Sequence, residues 1–249
     1  MIFDRRFDLI ISIGEDCACA SYLQRFNLRD ASYPFDWLCH ATFEKRIELI
    51  ADDFCGFMEK PNLRWFAKPA TGLRDLENDN YEDMATGFYF YHDFREGVPL
   101  DDTYDAVNEK YQRRIARLYR NVARAKNVLF VWWTRDKDIS CETLMDSQKV
   151  LSRKFQKDIC LLALQNDTGG RTLIERPGEF VIRVKAPLTD AEGSTMGNRE
   201  VCDSIFSQIA LSWQRVLAKK RKKILENVIC AFIPFKSLRK QIRYKIREM

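Results

Sequence analysis

Histidine is scarce in this chain. Only His40 and His92 occur among 249 residues, which argues against a histidine-rich metal centre and leaves few imidazoles for acid–base chemistry. The eight cysteines (Cys17, Cys19, Cys39, Cys55, Cys141, Cys160, Cys202 and Cys230) form no Cys-x-x-Cys pair and no Cys/His cluster at zinc spacing. Ten glycines and seven prolines are too few for a low-complexity or collagen-like chain. No apolar run reaches the length of a bilayer span. The start, with Asp4, Arg5, Arg6 and Asp8, lacks the apolar core and cleavage site of a secretory signal. These absences lead us to expect a cytoplasmic protein with reduced thiols and no disulfide scaffold.

What is present is the material of a sizeable core, 46% hydrophobic residues, arranged as alternating strands and helices. Apolar strands are expected at residues 9–13, 127–133, 158–164 and 180–184, with an aromatic strand at 87–92. Helices are expected at 17–26, 43–54, 103–125, 141–155 and 200–218, the long third one marked by Val107, Tyr111, Ile115, Leu118 and Val122. Residues 60–86 are polar and read as irregular. Continuous apolar strands between helices indicate an α/β fold of three layers, a mostly parallel sheet with helices on both faces. We expect this domain over 1–213 and a basic amphipathic helical tail over 214–249.

The chemistry concentrates near the start. The strand Leu9-Ile10-Ile11-Ser12-Ile13 stops at Gly14 and hands over to a helix through Glu15, Asp16 and Cys17. Unpaired N–H groups and a positive dipole end favour a thiolate at a helix start, so Cys17 is the candidate nucleophile. Glu15 and Asp16 oppose that by like charge, and a buried, inert thiol is the alternative. Gly14 permits either a close backbone approach or a positive φ. Cys19, two residues on, is assigned to the core. A nucleophilic cysteine needs a base. His92 ends the aromatic strand, on the same rim as Cys17 if both strands are parallel, and Asp93 or Asp36 are the acids to orient it. His40 is assigned to a turn or helix start. Asp36 is a lone acid among apolar anchors in Ser32-Tyr33-Pro34-Phe35-Asp36-Trp37-Leu38, either pinned by a buried hydrogen bond or aimed at a site. Gly14, Glu15, Asp16 and Trp37 complete the expected substrate-binding rim. Asp136 and Asp138 have a spacing that can hold a divalent ion, but the intervening Lys137 marks a solvated loop, and we assign neither metal nor cofactor.

The charge is uneven. Residues 214–249 hold twelve Lys/Arg against two Glu, in a chain whose total is only +5. Lys219, Lys220, Arg221, Lys222 and Lys223 form one block. Leu238, Ile242 and Ile246 then recur among Arg239, Lys240 and Arg243. Apolar residues at helical spacing among cations fit a peripheral helix on an anionic membrane. No aromatic platform or known motif directs the charge to nucleic acid.

Two resemblances add to this reading. The string Ile11-Ser12-Ile13-Gly14-Glu15-Asp16-Cys17, with Ala20, Leu23, Leu28-Arg29 and Ser32-Tyr33-Pro34-Phe35-Asp36-Trp37, resembles the bacterial domain of unknown function 1796 family, described as papain-like cysteine peptidases. His92-Asp93-Phe94 is similar to its downstream histidine motif, and Tyr111-Gln112-Arg113-Arg114-Ile115 also resembles it. The resemblance implies Cys17 as nucleophile and His92 as its partner, in a cysteine-dependent hydrolase or acyl transferase with helix N–H groups stabilising the oxyanion. The alternating α/β pattern departs from papain, whose cysteine helix packs on an antiparallel barrel. The segment 232–243 is similar to the C-terminal ends of bacterial lipopolysaccharide and capsule glycosyltransferases. That similarity implies surface-polysaccharide assembly at the inner membrane, with a glycan-modifying transferase or a non-catalytic binding protein as alternatives.

Overall fold

The computed structural model describes residues 2–66, 78–136, 138–167, 169–190, 193–194, 196–231, 237–239 and 241–242. Five strands form the main sheet: β1 (Leu9–Ser12), β6 (Val128–Thr134), β7 (Ile159–Asn166), β8 (Leu173–Gly178) and β9 (Val181–Ala186). Their order is β1-β6-β7-β9-β8. The first four in that order run parallel, and β8 joins antiparallel at the edge. Alternate residues of these strands feed two cores. Ile11, Phe130, Trp132, Leu161 and Ala163 face one, while Ile10, Leu129, Trp133, Cys160 and Leu162 face the other. The first core is closed by helices α2 (Phe43–Ala51), α3 (Leu100–Arg124) and α4 (Cys141–Phe155), the second by α1 (Cys17–Arg25) and α5 (Arg199–Phe206). Burial on both faces is why these strands read as unbroken apolar runs.

The aromatic strand does not join that sheet. β5 (Phe88–Arg95) is the second strand of a separate antiparallel sheet, β2-β5-β4-β3, built with β2 (Leu38–His40), β3 (Leu63–Phe66) and β4 (Asn78–Asp83). Its residues foretell this. Phe88 and Phe90 are buried while Tyr89 and Tyr91 are only half-buried, the alternation of a strand with one face covered. The expectation that the strands before Cys17 and at His92 run parallel in one sheet is therefore corrected, because Cys17 follows β1 of the main sheet while His92 lies on β5 of the antiparallel one. The expectation of an irregular 60–86 is corrected as well, since β3 and β4 lie within it. Their polar sequence hides them. Asn80 and Asp83 are buried all the same, and Asp83 accepts the Met58 N–H at 2.9 Å and the Ala85 N–H at 3.0 Å.

The helix expected over 200–218 is two helices, α5 and α6 (Trp213–Ala231). Between them the backbone pairs with the N-terminal segment instead. The Phe7 N–H donates to the Ala210 carbonyl at 2.9 Å and the Ser212 N–H to the Phe7 carbonyl at 2.7 Å. No helix among the described residues is long and apolar enough to cross a membrane.

Candidate active site

The Gly14–Cys17 turn is built by the sheet and by close packing. The chain keeps pairing with β6 past the end of β1, the Ile13 N–H donating to Val131 at 2.8 Å and the Glu15 N–H to Trp133 at 2.9 Å. A Cβ on Gly14 would overlap the Cβ of Cys19, and its φ is not among the positive ones. Close approach, not backbone sign, demands the glycine. Asp16 then caps α1. Its Oδ1 accepts the Ala18 N–H at 2.8 Å, and its Oδ2 pairs with Arg135 at 2.6 Å. Burial raises the Asp16 carboxyl above its ordinary pKa, against the pull of Arg135. Cys17 follows as the first residue of α1, half-buried at the rim where the parallel strands end. In open α/β sheets, ligands gather outside this carboxyl edge.

Of the helix N–H groups expected to bind an oxyanion, that of Ala18 donates to Asp16 Oδ1 at 2.8 Å. Cys39 stands on β2. Burial first, then the nearby Asp16 carboxylate and Cys17 thiol, push the Cys39 thiol up to about 12. Burial likewise pushes Cys19 up to about 12, and Cys19 packs in the core as expected.

Under the turn lies a guanidinium that periodicity alone mislabels. Arg46 is fully buried on α2. Its Nη2 donates to the Glu15 carbonyl at 3.1 Å, and its carbon centre lies 4.7 Å from the Phe88 ring, 5.3 Å from Phe35 and 5.6 Å from Trp132. Its Nε and Nη1 have no hydrogen-bond partner among the described residues. Burial lowers its pKa to about 10, against the pull of Cys39, Glu15 and Asp16. The signal was legible: Arg46 stands on the apolar stripe Phe43, Ile47, Ile50 of α2.

The acids named from sequence, Asp36 and Asp93, both hold partners within the fold. Asp36 is buried, its Oδ2 paired with Arg29 at 2.8 Å and accepting the Tyr33 N–H at 2.8 Å. Its Oδ1 has no partner among the described residues. Burial raises its pKa to about 6 despite Arg29 and the Tyr33 amide. The Asp93 oxygens accept from the Tyr111 hydroxyl at 2.8 Å and from the Lys110 ammonium, tying β5 to α3. His92 lies in an irregularity of β5. Phe90 pairs with Tyr81 and Phe94 with Asp79, so three β5 residues oppose one of β4, and such bulges re-aim side chains. The His92 ring meets Trp37 edge-on at 6.1 Å, and Arg29 lies 5.5 Å over that Trp37 ring.

His40 ends β2 beside Cys39. Its Nε2 is 3.0 Å from the Tyr91 hydroxyl and its ring 4.2 Å from that of Tyr89. Asp138 pairs with Lys185 at 2.8 Å, and no group of metal-binding side chains occurs among the described residues.

A family model described as "Putative papain-like cysteine peptidase (DUF1796)" matches residues 8–167. The chain belongs to this family. The matched span includes Cys17, Cys39, His40 and His92 and stops before α6. An uncharacterized protein of Acanthamoeba polyphaga mimivirus is 28% identical over 135 residues, 49% of this chain and 60% of the viral protein. The chain thus spans less than two thirds of that relative. No solved structure matches the chain.

Proposed function

We propose that this protein is a thiol-dependent hydrolase or acyl transferase whose nucleophile is Cys17. The observation that carries the reading is the position of Cys17: half-exposed, first in α1, at the carboxyl edge of a rigid parallel sheet. The thiolate attacks a carbonyl carbon, an imidazole takes the thiol proton and returns it to the leaving group, and the thioester is resolved by water or an acceptor. The family resemblance implies His92 as that imidazole, with Asp36 or Asp93 behind it. Of the residues assigned to the rim, Glu15 and Trp37 keep partly exposed side chains for a substrate. Gly14 and Asp16 shape the turn. Iodoacetamide labelling read by peptide mass mapping tests the nucleophile. Cys17 is expected to react well before Cys55, which is exposed and serves as an internal reference. Equal rates at the two sites overturn the reading.

A second proposal concerns location, and α6 supports it. Arg215, Lys219, Lys222 and Glu226 recur at helical spacing on the face that meets the body. Lys219 donates to the carbonyls of Asn27 at 2.6 Å and Arg29 at 2.8 Å, capping the end of α1, and Arg215 pairs with Asp30. Burial lowers the Lys219 pKa to about 8. The opposite face presents Leu217, Ile224 and Val228, 54%, 62% and 51% exposed, flanked by Lys220 and Arg221. That outward stripe fits an anionic lipid surface better than do Lys219 and Lys222. Lys223 and Arg239 are further described members of the expected basic set, whereas Lys240 and Arg243 lie outside the described residues. The proposed setting is surface-polysaccharide assembly at a bacterial inner membrane, supported by the resemblance of the tail. A glycan-modifying transferase or a non-catalytic binding protein is the alternative there. Sedimentation with phosphatidylglycerol vesicles is expected to carry the full chain down and to lose it on Ile224→Asp with Val228→Asp. Sedimentation unaffected by those substitutions removes the membrane argument.

A further inference from the structure

Arg46 is the residue of the site that packing does not explain. It is fully buried on α2, yet its Nε and Nη1 have no hydrogen-bond partner among the described residues. A buried guanidinium with unsatisfied N–H groups costs stability, and an apolar side chain of similar volume often serves a core as well or better. The rings of Phe35, Phe88 and Trp132 offset part of that cost by cation–π attraction. What the guanidinium touches is the Cys17 turn itself, where Nη2 donates to the Glu15 carbonyl at 3.1 Å. Cys17 is two residues on, so covalent geometry keeps its sulfur within about 10 Å of that oxygen.

The charge on the turn gives the guanidinium a task. Glu15 and Asp16 are both acids, and like charge opposes a thiolate at Cys17. Asp16 pairs with Arg135 at 2.6 Å, and Glu15 accepts from the neutral Thr134 hydroxyl at 2.5 Å. Arg46 brings the guanidiniums at the turn to two, equal in number to the acids. The thiols of Cys19 on α1 and Cys39 on β2 stay neutral near pH 7, since burial pushes both up to about 12. Even at about 13 Å, with an effective dielectric constant of about 20, a unit charge changes an ionisation constant about tenfold.

We infer that Arg46 is a positioning residue for Cys17, holding the Glu15 carbonyl and supplying the buried positive charge that lets the thiol ionise beside two acids; this rests on the reading of Cys17 as nucleophile. The readout is the apparent pKa of the Cys17 thiol, taken from the pH dependence of its alkylation by iodoacetamide in the full chain. Arg46→Met removes the charge and fills similar space. It is expected to fold with an unfolding midpoint near or above that of the parent. Its Cys17 pKa is expected to rise by about one unit and its rate near neutral pH to fall about tenfold, with Cys55 unchanged. Arg46→Gln, which can still donate to the Glu15 carbonyl, is expected to lose as much. Arg46→Lys keeps the charge and is expected to retain most of the parental rate. His40 and His92 are intact in all of these proteins, so their contribution is common to them. A folded Arg46→Met or Arg46→Gln protein with the parental Cys17 pKa overturns the inference, as does an equal loss in Arg46→Lys. Failure of both neutral variants to fold overturns it too, because the cation would then serve the fold. If Cys17 of the parent reacts no faster than Cys55, the nucleophile reading fails. The shift between parent and neutral variants still shows whether Arg46 acts on the thiol.

Discussion

The two sheets of this protein are built on different terms. The parallel strands β1, β6 and β7 are covered on both faces, and nearly every side chain along them is buried. Among the described residues, the four-stranded sheet is covered on one face only. Phe88, Phe90 and Phe94 fill the core, while Cys39, His40, Tyr89 and Tyr91 cluster on the other side. The contrast separates two tasks. The dry sheet holds the turn that presents Cys17 to within a narrow range of geometry. The half-covered sheet keeps titratable and hydrogen-bonding groups at its open side, which a doubly buried sheet has no room to offer without large desolvation costs. Arg46 joins the two, reaching from α2 to the Glu15 carbonyl between rings of both sheets.

Substitutions of graded severity sharpen that division. Trp132→Ala in β6 empties a fully buried site against Phe43 and is expected to lower unfolding free energy by about 3–5 kcal/mol in denaturant titrations. Gly14→Ala, which drives a methyl into Cys19, is expected to cost about 1–3 kcal/mol and to change the Cys17 alkylation rate, because the turn must shift. Tyr89→Phe removes one hydroxyl from the half-covered sheet and is expected to stay within about 0.5 kcal/mol of the parent. A large loss there would break the comparison, since it would make the second sheet as tightly constrained as the first.

Asp36 offers a pH test of the seam between them. Its folded pKa, about 6, lies above the ordinary 3.8 because burial disfavours the carboxylate. Between those values the folded state holds more of this proton than the unfolded one. Its contribution to stability is therefore fully present below pH 3.8 and lost as pH rises to about 6. Asp36→Asn, measured against the parent by thermal unfolding from pH 4 to 7, is expected to flatten that part of the profile. An identical slope in both proteins overturns the assignment.

Much of the scaffold was legible because its signals are local. The helix at Cys141–Phe155 appears with the expected bounds, its N-cap Ser140 accepting the Thr143 N–H at 3.0 Å. The strands of the main sheet show themselves as apolar runs. β3 and β4 were not legible, because Asn78-Asp79-Asn80-Tyr81-Glu82-Asp83 has no apolar alternation and is ordered by its partners. The same holds within the site. A cysteine at a strand-to-helix turn can be read from residue order, but where the two histidines are aimed depends on a bulge at His92 and a strained turn at His40, neither of which has a sequence period.

Residue order by itself determined the α/β class, the Cys17 turn and the basic C-terminal region, since hydrophobic period, glycine placement and charge act over a few residues. Tertiary structure alone decided that the aromatic strand forms a second sheet, that Lys219 serves as a helix cap, that Asp36 pairs with Arg29 and Asp93 with Tyr111, and that His40 and Tyr91 meet. Those outcomes follow from pairing between segments far apart in the chain. Such pairing is chosen by the free energy of the whole core, and no short stretch of sequence encodes it.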